Sequence, residues 1–259
     1  KIIADKKSAR VILPNMLTLI GVCIGLTSIR FALDGKFELA IIAIIFAALI
    51  DGLDGRIARL IKGTSKVGKE LDSLTDMISF GVAPAFIMFF WKLNTLGRFG
   101  WLLCLIYVIC VALRLARFNV NSNQEPSWRD NFFEGVPSPA GGILVMTPLI
   151  ISLSGFDLYQ LNYDFIVPTF FIATSFLLIS KFPTYSLKKI VIPRKTTIFL
   201  LFSIVLFFGL LLIYTFNVIA LSAVIYLLLL PISFIHYQKI KKQHENDRIQ
   251  DEDDLEDIL

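Results

Sequence analysis

Four aspartates, Asp51, Asp54, Asp72 and Asp76, fall within one short stretch, DGLDGRIARLIKGTSKVGKELDSLTD. The first ends an apolar run, FELAIIAIIFAALID, and the last begins another, MISFGVAPAFIMFFW. A carboxylate beside a membrane segment is unfavourable, by roughly 2.5 kcal/mol or more at a helix centre, unless positive charge meets it. Four that converge need a strong counter-charge, and a pair of divalent metal ions supplies one. Oxygen ligands without His or Cys suit Mg²⁺ or Mn²⁺ rather than zinc. Two such ions about 4 Å apart can clamp the oxygens of a phosphate undergoing in-line displacement. Arg56, Arg59, Lys62, Lys66 and Lys69 surround the acids with the charge that a pyrophosphate substrate requires. Gly52 and Gly55 leave room beside the acids for a bulky ligand. Simpler readings exist, an Asp–Arg pair sealing a helix end or basic residues that only set topology. They account for one acid better than for four.

The acids must be held by two helix ends. Asp51, Asp54 and Ala58 recur at spacings of three and four, which puts them on one helix face, and Asp72 and Asp76 are four apart on another. Gly63 and Gly68 between them permit a tight return. The two ends can then aim all four carboxylates into one pocket at a membrane boundary.

The rest of the chain fits a membrane setting. Of the 259 residues 56% are hydrophobic, with 23 Phe and only 18% charged, against about 45–50% apolar for an ordinary soluble domain. The mean hydropathy is +0.72. The apolar residues form long blocks, which predict eight membrane-spanning helices over about 11–33, 37–58, 74–92, 99–118, 138–154, 163–181, 197–215 and 218–237. The expected class is therefore all-α, a polytopic helical bundle in the bilayer. Of the 25 Lys and Arg, all but Arg30, Lys36, Lys92 and Arg98 lie in alternate connecting segments, so both termini and the Asp-rich stretch are expected on the cytoplasmic side of the inner membrane. Residues 1–10, with Lys6, Lys7 and Arg10, form a cytoplasmic segment that sets topology or lies along anionic lipid. Residues 238–259 are an acidic tail, expected to be solvated and mobile. The chain begins with Lys, so its native start is expected to lie further upstream. Gly21 and Gly25 form a small-xxx-small pair that suits close packing within one subunit better than a dimer contact. Cys23, Cys104 and Cys110 lie in apolar blocks as packing residues, and His236 and His244 belong to no cluster. No nucleophile triad, phosphate-binding glycine loop or dinucleotide fingerprint is present, and nucleic acid is not an expected partner.

The Asp-rich stretch resembles the signature of the CDP-alcohol phosphatidyltransferases, D-x2-D-G-x2-A-R-x8-G-x3-D-x3-D, met here without a gap by Asp51, Asp54, Gly55, Ala58, Arg59, Gly68, Asp72 and Asp76. The resemblance implies a six-helix catalytic core, two divalent metal ions (Mg²⁺ or Mn²⁺), and transfer of a phosphatidyl group from a CDP-linked lipid with release of CMP. It implies that Asp51, Asp54 and Asp72 ligate metal, and that Asp76 also sits at the metals and is the base that deprotonates the acceptor hydroxyl. Gly55, Ala58, Arg59 and Gly68 would form the CDP site. Pro14, Asn15 and Thr18 resemble a family element that reaches the nucleotide; Asn15 and Thr18 also suit a helix-start cap. A homodimer is implied as well. The core would occupy 11–182, and 183–237 would add two transmembrane helices.

The acceptor alcohol rests on other residues. The runs ALRLARFNVN and FFEGVPSPAGG are similar to those of the phosphatidylserine synthase branch of the family, which implies CDP-diacylglycerol and L-serine as substrates. Serine is a zwitterion, so its carboxylate needs a cation or amide donors. Arg114 and Arg117, the amides of Gly141 and Gly142, and Asn119 are the candidates. Arg114 and Arg117 also suit a topogenic or lipid-contacting role, and glycerol 3-phosphate would want arginines too, leaving a phosphatidylglycerophosphate synthase as an alternative acceptor reading. An Asp-rich prenyltransferase lacks the DG-x2-AR core. A divalent-cation transporter would carry its acids deep in the bilayer and on several spans.

Overall fold

The computed structural model describes residues 6–61, 63, 65–121, 132–155, 162–180, 183–185 and 194–256. Eight helices fall on the eight expected spans: α1 (Lys6–Leu33), α2 (Phe37–Leu60), α3 (Lys66–Trp91), α4 (Arg98–Asn121), α5 (Ser138–Leu153), α6 (Tyr163–Ile179), α7 (Arg194–Ile213) and α8 (Thr215–Glu256). Four of them contain segments long and apolar enough to cross a membrane, Ile12–Leu33, Lys66–Trp91, Arg98–Val120 and Thr215–Lys239; α5, α6 and part of α7 are shorter apolar helices. The molecule is a multi-pass membrane helical bundle. After Glu38 in its first turn, helix α2 is apolar only up to Ile50, because Asp51 and Asp54 enter its last ten residues.

Several boundaries differ from the sequence expectation. Helix α3 begins at Lys66 rather than 74, with Ser65 capping it by accepting a hydrogen bond from the Gly68 amide at 2.9 Å. Gly68 is therefore in the first turn of α3 and not in the return loop, which Gly63 closes by donating its amide to the Ala58 carbonyl at 2.9 Å. The backbone of α8 runs on to Glu256, so most of the tail is helix and not irregular chain; its Lys-, Gln- and Glu-rich sequence favours that conformation. At the other end α1 is continuous from Lys6, while residues 1–5 of the N-terminal segment lie outside the described residues. One element was not foreseen, an antiparallel pair of short strands, β1 (Phe132–Glu134) and β2 (Pro183–Tyr185), in register Phe133↔Thr184. It joins the chain entering α5 to the chain leaving α6. Gly135 turns beside it at φ +78°, where a Cβ would lie 3.0 Å from the carbonyl oxygens of Leu178 and Ser180.

The core is built around α3. Immediately after Asp76 the helix widens into one π turn, Met77–Val82. Such a turn leaves carbonyls poorly paired, and the buried Tyr107 of α4 donates its hydroxyl to the Phe80 carbonyl at 2.7 Å. Gly25 of α1 sits so close to Ser79 that a Cβ would be 2.5 Å from its hydroxyl oxygen, and Gly21 lies over Thr75. The Gly21/Gly25 pair therefore packs α1 on α3 within the subunit, as expected. Phe171 stacks edge-on against Tyr107 with ring centroids 5.6 Å apart. At the end of the bundle remote from the aspartates, Trp91 meets Tyr163, and Lys92 pairs with Asp164 at 3.0 Å. Helix α7 shows side chains such as Phe199, Phe202 and Val205 to the outside, a face suited to lipid.

Candidate active site

Helices α2 and α3 bring the carboxylates together. Oxygens of Asp51, Asp54 and Asp72 all lie within 4.8 Å of one another. Three carboxylates at that separation repel strongly without a cation between them, and the all-oxygen set fits a hard divalent ion. Thr18 of α1 fixes one of them, its hydroxyl donating to Asp54 Oδ2 at 2.6 Å. Asp54 is the most enclosed of the trio, 3% exposed. Asp76, one turn beyond Asp72, has Asp51, Asp72, Arg114 and Ser138 as its charged and polar neighbours. Its Oδ1 is buried with no hydrogen-bond partner. A buried acceptor of that kind is unfavourable by about 1–3 kcal/mol or more, so it marks a position that a ligand completes.

A cavity of about 470 Å³ opens beside the trio, between α1, α2 and the start of α3. That size falls within the range of about 300–1,000 Å³ typical of small-molecule sites. Asn15, Thr18, Gly55, Ala58, Arg59 and Gly68 all line it, together with Pro14, Ser65, Lys66 and Lys69. Gly55 faces open space, whereas Gly68 has a second role: a Cβ there would lie 2.8 Å from Asn15 Oδ1, so the glycine lets α3 approach the start of α1. Arg59, Lys66 and Lys69 put positive charge on the walls. Arg56 is exposed outside the lining, Gly52 is exposed on α2, and Lys62 lies outside the described residues.

The candidates for acceptor binding divide. Arg114 donates from Nη1 to Ser138 Oγ at 2.5 Å, and its Nε is buried without a hydrogen-bond partner. Arg117 instead donates to the Ile179 carbonyl at 2.7 Å, satisfying the open C-terminal end of α6. Asn119 exchanges hydrogen bonds with Ser73, its Nδ2 donating at 2.9 Å, and so ties α4 to α3. Gly141 needs correction. The Gly141 amide already donates to the Pro137 carbonyl at 2.9 Å and is not available to a substrate. A Cβ on Gly141 would meet Leu178, and one on Gly142 would meet Phe80, so both serve the close approach of α5 to α6 and α3. Ser138 and Tyr226 escaped the sequence reading. Ser138 lay within the quoted GVPSPAGG run, but Tyr226 is an Arg114 neighbour supplied by α8, where no local signal marks it.

Residues 11–178 match the family model described as CDP-alcohol phosphatidyltransferase. The chain belongs to the CDP-alcohol phosphatidyltransferase family. It is 41% identical over 189 residues to a Mycobacterium leprae protein named CDP-diacylglycerol–serine O-phosphatidyltransferase, an alignment covering 70% of this chain and 61% of that one. Proteins of the same name from Helicobacter pylori (strain 26695) and Saccharomyces cerevisiae are 34% and 42% identical; the alignments cover 68% and 46% of this chain and 73% and 45% of theirs. The chain thus matches about three fifths of the length of the mycobacterial relatives.

Proposed function

We propose that the protein transfers a phosphatidyl group from CDP-diacylglycerol to the hydroxyl of L-serine, giving phosphatidylserine and CMP. The observation that carries this reading is the placement of Asp76: its Oδ1 is buried and unpartnered, and its neighbours include both Asp51 and Asp72 of the carboxylate trio and Arg114. The nucleotide half of the donor fits the cavity lined by Arg59, Lys66 and Lys69. Asp51, Asp54 and Asp72 would hold two Mg²⁺ or Mn²⁺ ions, with Asp76 beside them. When bound, these ions would neutralise the pyrophosphate and the charge on the departing CMP.

The serine hydroxyl oxygen attacks the lipid-side phosphorus, the bond from that phosphorus to the bridging oxygen breaks, and CMP leaves with the electron pair. Asp76 takes the hydroxyl proton. Arg114, with a free buried Nε–H, receives the serine carboxylate, and Ser138 holds the guanidinium in place. The names of the relatives favour serine over glycerol 3-phosphate. The reading places the site and both termini on the cytoplasmic side of the inner membrane, in line with the distribution of Lys and Arg, and takes the working unit to be a homodimer.

Purified protein supplied with CDP-diacylglycerol, Mn²⁺ or Mg²⁺, and labelled serine or glycerol 3-phosphate tests the reading. Label in lipid from serine, with equimolar CMP, is expected. Transfer to glycerol 3-phosphate alone would replace the acceptor, and cation flux in sealed vesicles without CMP release would replace the reaction. The Thr18–Asp54 hydrogen bond makes a separate prediction. Thr18→Val keeps the shape but frees a ligand carboxylate, and partners of ligands typically contribute about 10- to 100-fold to metal affinity. Mn²⁺ affinity, read by electron paramagnetic resonance, is expected to fall at least tenfold; unchanged affinity would mean Thr18 serves only the helix packing.

A further inference from the structure

A second cavity, of about 340 Å³, lies between α2, α5, α7 and α8. Its walls are hydrocarbon: Ile45, Leu49, Ile143, Phe207, Phe208 and Leu211 supply most of them. Only two lining side chains carry a polar atom, Ser222 and Tyr226. The Ser222 hydroxyl already donates to the Val218 carbonyl at 2.7 Å. Such a space disfavours a polar ligand such as serine or a nucleotide, because two hydroxyls cannot replace the water lost. It is also held open by small residues, Ala48, Ala140 and Ala223, where larger side chains would fill it.

Its position relates it to the chemistry. Ala48 is one helical turn before Asp51 on α2, and Ala140 is two residues after Ser138. Tyr226, which lines the cavity, is a neighbour of Arg114. The nucleotide-sized cavity and the apolar one therefore draw on successive stretches of α2, Asp54–Arg59 for the first and Ile45–Leu49 for the second, with Asp51 between them in the sequence. A donor whose pyrophosphate sits at those carboxylates must send its nucleotide one way and its lipid the other.

We infer that this cavity receives one acyl chain of the lipid donor, so that α7 and α8, which lie beyond the matched residues 11–178, form the outer wall of a lipid-tail site. The inference rests on the reading of a CDP-linked lipid as donor. Its volume suits much of one chain and not two, so the second chain stays in the surrounding bilayer.

The experiment uses the full chain with CDP-diacylglycerol carrying a photoreactive diazirine midway along one acyl chain. After illumination, adducts are expected on the α7 segment around Phe207–Leu211 and the α8 segment around Ile219–Ala223, removed by excess unlabelled CDP-diacylglycerol. Adducts confined to other helices, or unaffected by the competitor, would overturn the inference. A second readout is the ratio of kcat/KM for a long-chain donor to that for a dibutyryl donor. Ala223→Phe fills the cavity and is expected to lower this ratio about tenfold; an unchanged ratio counts against the site. Because the labelling uses the unaltered chain, a variant that fails to fold leaves that arm decisive. If the unaltered protein neither binds CDP-diacylglycerol nor releases CMP from either donor, it is the donor reading that falls, and the inference with it.

Discussion

Asp76→Asn is expected to slow CMP release in the presence of serine by about 10²- to 10⁴-fold, the range over which a positioned general base contributes. The substitution keeps the side-chain volume and one oxygen, but an amide cannot accept the hydroxyl proton. Asp76 is singled out by its surroundings, since its buried Oδ1 has no hydrogen-bond partner while Asp51, Asp72, Arg114 and Ser138 crowd round it. Loss of rate alone would not separate a base from a metal ligand. The decisive comparison is Asp72→Asn, which removes one of the three oxygens that lie within 4.8 Å of one another. Mn²⁺ affinity should collapse in Asp72→Asn and stay within a few-fold in Asp76→Asn. A rate within tenfold of the unaltered protein for Asp76→Asn would remove it as the base. Equal loss of Mn²⁺ in both variants would make Asp76 a ligand first.

How much of this was visible in the sequence depends on how far apart the partners are. The helices were legible because apolar blocks of bilayer length are a local property, and the acids because carboxylates interrupting such blocks at spacings of three and four share a face. Glycine was the least legible residue. Gly55 and Gly68 read as parts of the nucleotide site and Gly141 and Gly142 as amide donors, yet of these four only Gly55 faces open space, while Gly68 abuts Asn15 and the other two abut Leu178 and Phe80. A missing Cβ looks the same whether a ligand or a helix fills the gap. Arg117 was misleading for a related reason: its partner, the Ile179 carbonyl, is 62 residues away. The π turn after Asp76 left no mark either, since its stabilisation comes from Tyr107 on another helix. Charge runs located the neighbourhood of the site; only packing divided its members into those that face the cavity and those that hold helices together.

That division leads to the second large effect, at Arg114. Arg114 and Arg117 lie three apart on one helix and look alike as carboxylate receptors, but only Arg114 has a buried, unpartnered N–H beside the base. Arg114→Lys retains the charge and loses the planar fork, so it can keep the contact to Ser138 or reach the substrate, but not both in one fixed geometry. A hydrogen bond to a charged group is worth about 1.5–3 kcal/mol, which corresponds to roughly 10- to 150-fold. The KM for serine is accordingly expected to rise about 10- to 150-fold in Arg114→Lys, with the KM for CDP-diacylglycerol little altered. Arg117→Lys should leave both constants near their original values and lower the thermal midpoint instead, because it loosens the end of α6. Steady-state kinetics with each substrate varied in turn separates the two arginines. If Arg114→Lys raised the KM of the lipid donor and spared that of serine, the guanidinium would belong to the phosphatidyl half of the site, and the serine carboxylate would have to be bound from another direction.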